Sequence, residues 1–112
     1  MNYENLTDEQ KEVYVYIIEN YLKLSPIDKD KITPEVAKVV DDFMQDLSNC
    51  TKRLKIFTNI FKKANTIIGL IQAVGVEIAK NELTEAFQKS VALPCYTTRF
   101  RAYANDIFYL IF

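Results

Sequence analysis

Apolar side chains recur at spacings of three or four along most of this chain. The clearest run is Val36, Val40, Phe43, Leu47, Cys50, Leu54, Phe57, Phe61, Ala64, Ile68 and Ile71, the spacing of one helical face. Thr33 and Pro34 precede it as a good N-cap and a good first-turn residue. No glycine or proline interrupts residues 35–68. One helix from 34 to 73 would be about 60 Å long, whereas a globule of this size is about 34 Å across. Either the helix breaks or the molecule is elongated. Ser48-Asn49-Cys50-Thr51 is a run of weak helix formers, costing roughly 2 kcal/mol, but the stripe crosses it without a phase change. Lys62-Lys63-Ala64-Asn65-Thr66 is the better break: lysines suit a helix C-terminus, and Asn65 can cap the next helix.

The flanking segments carry the same period. Thr7 with Gln10 forms a capping-box pattern, with Asp8 and Glu9 in the first turn. The stripe Tyr14, Ile17, Ile18, Tyr21 and Leu24 follows and stops at Ser25-Pro26. Val13–Ile18 is also rich in β-formers and could pair with Ile107–Phe112. A third helix places Ile68, Ile71, Val74, Ile78, Leu83, Phe87 and Val91 inward and ends at Leu93-Pro94. Thr97 or Thr98 caps a last one carrying Phe100, Tyr103, Ile107 and Leu110. The predicted fold is all-α. It is one domain over 1–112, an antiparallel bundle of four to five helices at about 8–24, 34–63, 66–92 and 98–111.

Composition narrows the chemistry. With 112 residues, no histidine and only two glycines, the chain lacks the commonest general base and has no glycine-rich phosphate loop. Two cysteines cannot complete a four-ligand zinc site. Neither cofactor nor metal is expected, and no enzyme motif is present. The acidic N-terminus has no apolar signal segment, so free thiols in a reducing, cytoplasmic setting are expected. Cys50 lies on the apolar stripe. Cys95 follows Pro94 in a predicted loop near Arg99 and Arg101, where an inert thiol is the simpler reading.

The formal charge of −1 conceals a split. Residues 1–51 hold 11 acids and 5 bases, and residues 52–112 hold 4 acids and 9 bases. Pairing between the halves is the simpler expectation, and a polar surface that orients a partner is the other. Asp42 and Asp46 stand one turn apart and could share Mg²⁺, but they read better as a solvated acidic face. Lys52, Arg53, Lys55, Lys62 and Lys63 surround Phe57 and Phe61. Those rings belong to the stripe and the chain is acidic overall, which argues against nucleic acid. Residues 64–76 are uncharged but too few to span a membrane.

Six of the fourteen aromatic residues lie between 96 and 112. One helix cannot bury all its faces on one neighbour, so either this helix sits centrally in the bundle or its outer face meets another chain. The expected function is a non-catalytic helical interaction protein of the immunity, antitoxin, inhibitor or chaperone kind. It would act by occluding a protein partner or by forming a homodimer. Tyr103, Phe108, Tyr109, Phe112, Arg99 and Arg101 are its expected contact residues. Asp41, Asp42 and Asp46 are expected to steer the encounter. A small-molecule- or lipid-binding helical sensor or carrier with an apolar pocket near Gly69 and Gly75 is the alternative.

Overall fold

A computed structural model of the chain describes residues 3–24, 26–56 and 58–112. Its helices are α1 (Asp8–Asn20), α2 (Pro34–Arg53), α3 (Asn59–Lys63), α4 (Ile67–Val74), α5 (Val76–Ser90) and α6 (Pro94–Ile111), with a 3₁₀ turn at Lys29–Lys31. The all-α prediction holds: no strand occurs among the described residues, and Val13–Ile18 is helical. Among the described residues there are six α-helices rather than four or five, and they are shorter than the stripes suggested.

The starts follow local chemistry. At α1 the Gln10 amide donates to Thr7 Oγ at 3.2 Å and the Thr7 amide donates to Gln10 Oε1 at 2.9 Å, a complete capping box. Thr33 accepts from the Val36 amide at 3.3 Å, with Pro34 in the first turn. Thr66, not Asn65, caps α4 by accepting from the Gly69 amide. The last helix starts at Pro94 rather than near 98. The proline ring presets helical φ there, and the Thr98 hydroxyl turns back to the Pro94 carbonyl from inside the helix at 3.2 Å.

The breaks are less local. α2 runs through Ser48–Thr51, as the stripe implied, and ends after Arg53 instead of at 63. The Ile56 amide donates to the Thr51 carbonyl and the Lys55 amide to the Lys52 carbonyl, a Schellman closure. Its left-handed position is filled by Lys55, at φ 59°. Glycine is the usual occupant because it has no Cβ to clash there. Lys55→Gly is therefore expected to raise stability by about 0.5–1 kcal/mol, read as a higher urea midpoint at unchanged slope. A lower midpoint would mean that the lysine side chain contributes packing worth more than the strain.

Gly75 separates α4 from α5 with φ 85° and ψ 168°, a conformation open essentially to glycine alone. It restarts the helical phase, so Ile78 is exposed against expectation; Val91 and Leu54, the residues just past the ends of α5 and α2, are exposed as well. Phe57 lies outside the described residues. Phe61 is only half-buried, so its truncation would cost less than a full core ring.

The buried side chains form one cluster centred on Tyr14, Ile17, Ile18, Phe43, Met44, Leu47, Leu83 and Ile107. α2 and α6 make the most extensive helix pair. Cys50 and Cys95 are joined by a disulfide between them, with Cα atoms 6.4 Å apart, inside the range such bonds span. This corrects the expectation of free thiols and removes that argument for a reducing compartment. The molecule measures 36 × 29 × 22 Å, which has no room for the unbroken 34–73 helix.

Candidate functional site

The aromatic residues of α6 divide between two faces. Phe43 of α2 stands at the centre of an aromatic cluster, with ring centroids 5.8 Å from Phe87, 5.8 Å from Tyr96 and 5.4 Å from Tyr103. Tyr21 stacks on Phe87 at 4.4 Å, and Tyr96 on Phe100 at 5.9 Å. Tyr96 is buried and donates to the Tyr21 carbonyl at 2.7 Å. Burial and the neighbouring Tyr21 push its phenol up to about 12. The first half of α6 thus joins the core.

The second half does not. Ile107 turns inward, while Phe108, Tyr109, Leu110 and Phe112 are exposed. Phe108 packs on Phe112 with centroids at 5.1 Å and meets Tyr109 edge-on at 5.9 Å. The rings therefore support one another and are left uncovered by the remaining helices. Leu110, expected inward, is half-exposed as well. Arg101 and Asp106 are exposed on the same helix. Phe108, Tyr109 and Phe112 keep 46%, 81% and 73% of their surface in solvent, together two full aromatic side chains, or roughly 400 Å². That is the size of the largest apolar patch a monomer ordinarily shows.

The other expected contact residues are engaged elsewhere. Tyr103 donates to Asp46 at 2.5 Å and Arg99 lies 3.4 Å from the same carboxylate. Burial and that carboxylate raise the Tyr103 phenol above its ordinary range. These three residues tie α6 to α2 and are not a free steering surface. Asp42 is exposed and pairs with Lys38 one turn earlier, at 3.0 Å.

Asp41 is not a surface charge: only 4% of it is exposed. Its carboxylate accepts from the Tyr3 hydroxyl at 2.6 Å, the Tyr14 hydroxyl at 2.9 Å and the Ile67 amide at 2.9 Å. It therefore joins the N-terminal segment, α1 and the positive end of α4. Burial raises its carboxyl above the ordinary range, against the pull of all three hydrogen bonds. Both tyrosines are raised too, by burial first and by the adjacent carboxylate. A sequence signal for this was present: Ala37 and Met44 flank Asp41 at one turn either side and widen the apolar stripe to include it.

The charge split is used partly inside the molecule. Glu12–Lys80 and Asp46–Arg99 connect the two halves, whereas Lys63–Glu82, Lys89–Glu85, Lys38–Asp42 and Lys29–Asp8 pair within one half. No helix of the described residues is long and apolar enough to cross a membrane. Among the same residues, no group of three or more His, Cys, Asp or Glu is placed to hold a metal ion.

An open cavity of about 460 Å³ lies between the ends of α1 and α5 and the first turns of α6. It is not near Gly69 or Gly75, where the sequence had placed a pocket. Gly69 packs on Thr66 and Ala64, and Gly75 is a linker.

No protein-family model, curated protein or solved structure matches this chain.

Proposed function

We propose that this protein is a non-catalytic helical interaction module that docks through the outer face of α6, and that the first occupant of that face is a second copy of the chain. The observation that carries the reading is the exposure of Phe108, Tyr109 and Phe112 along the last turn and C-cap of α6. Two copies placing these rings together would cover roughly 800 Å² from the rings alone. Flanking residues bring the total toward the roughly 1,000 Å² of a specific interface. Arg101 and Asp106 give the exposed face one charge of each sign, so an isologous contact, in which one patch serves both chains, meets no net repulsion. Occlusion of a partner, in the manner of an inhibitor or immunity protein, would use the same rings as anchors.

Sedimentation velocity at micromolar concentration tests this. Wild type is expected to be a dimer. Phe108→Asp and Tyr109→Asp are each expected to weaken it by at least roughly tenfold, because a carboxylate is then buried among rings. Helix content should be unchanged in both variants, since both side chains are outside the core. A wild-type monomer at tens of micromolar would reject self-association. Loss of helix in both variants would show that the rings hold the fold.

A further inference from the structure

We infer that the cavity beside α6 is a binding site for a small amphipathic carboxylate, an apolar or aromatic body carrying one anionic head. This goes beyond the docking face, which lies on the other half of the same helix.

The walls are mostly apolar: Tyr21 of the α1 end, Val91 beyond α5, and the stacked rings of Tyr96 and Phe100. Its volume falls in the range of natural small-molecule sites. Asn20, Lys23, Gln88 and Thr97 supply polar groups alongside these walls. Lys23 is the single charged residue among the described lining residues, and no ion pair to an acidic side chain holds its ammonium among the described residues. Lys23 also has a left-handed backbone, φ 62°. Such a conformation costs about 1 kcal/mol or more for a residue with a Cβ, so the turn is held by its surroundings: the Leu24 amide donates back to the Ile18 carbonyl at 3.1 Å, and the Tyr21 carbonyl is fixed by Tyr96. The head group follows from the charges at the cavity. Two helix C-termini, of α1 and α5, and one N-terminus, of α6, meet there and leave about half a negative charge between them. The full positive charge of Lys23 outweighs it and selects an anion.

Three probes share one body and differ in head: 4-phenylbutyrate, 4-phenylbutanol and 4-phenylbutylamine. Binding is measured by calorimetry and by amide shifts of the full chain. The acid is expected to bind roughly two- to fivefold more tightly than the alcohol, the scale of an exposed ion pair, and the amine more weakly than either. Lys23→Gln should erase the difference between acid and alcohol while leaving alcohol binding unchanged. Val91→Asp, at an exposed wall position, should weaken the acid by at least roughly tenfold through like charge and a wetted wall. The thermal melt of Lys23→Gln should match wild type, and Val91→Asp should lower Tm by only a few degrees, since both positions are exposed and the new carboxylate faces the negative end of α5. The inference is overturned if none of the probes binds at millimolar concentration, if the acid preference survives Lys23→Gln, or if Val91→Asp leaves acid binding intact.

Discussion

Replacing Asp41 with alanine is expected to cost about 3–4 kcal/mol, a large part of the roughly 5–15 kcal/mol by which a domain of this size is stable. The truncation leaves the Tyr14 hydroxyl and the Ile67 amide buried without their acceptor and releases Tyr3. Each buried donor so orphaned costs about 1–3 kcal/mol. Relief from holding a carboxylate away from water offsets part of the loss, so the three terms do not simply add. Asp41→Asn is milder, about 1–2 kcal/mol. Its amide keeps one acceptor oxygen, and its NH₂ can donate to a tyrosine hydroxyl turned to accept. Urea unfolding of both variants measures these values.

The pH dependence supplies a separate check. The folded-state pKa of Asp41 is raised, with burial as the largest cause, so the folded state binds the extra proton between the ordinary carboxylate value and the raised one. Stability from this group therefore falls as pH rises through that window and is level above it. Wild type should gain stability relative to Asp41→Asn when pH is lowered toward the carboxylate range. A gap that closes in the opposite direction would mean that the hydrogen bonds, not burial, dominate the carboxyl.

Breaking the Cys50–Cys95 bond is the second large effect. The two residues are 45 apart in sequence, and closing a loop of that length removes unfolded-state entropy worth about 4 kcal/mol in the chain-entropy picture. Cys95→Ser is the cleaner variant, because Cys50 is buried on the α2 stripe and Cys95 is partly exposed. A fall in Tm of roughly 10 °C or more is expected, and wild type in reductant should fall to match it. Helix content at 20 °C should survive, since Phe43, Asp46, Arg99 and Tyr103 still join α2 to α6. A wild-type curve indifferent to reductant would show that the sulfurs do not form a bond in solution.

The local signals in this sequence were strong and were used by the fold. The Thr7–Gln10 box, the Thr33-Pro34 start and the Val36-to-Cys50 stripe each act over one or two turns, so their physics is complete within a short segment. They determined that the chain is helical and which faces of α1 and α2 are buried. They also located the aromatic cluster and exposed rings of α6, though not the division between them. Helix ends set by tertiary demand were not legible. Lys55 takes a left-handed position normally given to glycine, and nothing nearby marks it. Packing within 36 Å required a turn there and overrode the continuing stripe.

Among the site residues, Asp41, Asp42 and Asp46 look alike as a sequence and have three different fates. One is buried beneath Tyr3 and Tyr14, one is paired with Lys38 in solvent, and one holds Tyr103 and Arg99. The partners lie as far as 57 residues away, beyond anything helical periodicity can encode. The pairing of Cys50 with Cys95 and the cavity between α1, α5 and α6 are of the same kind. By itself the sequence determined that the chain is helical, the apolar faces of α1 and α2 and the caps at Thr7 and Thr33, because those depend on neighbours within about four residues. The tertiary structure alone decided which charges are buried, which cysteines meet and where a cavity opens, because each depends on distant segments brought together by burial of one shared core.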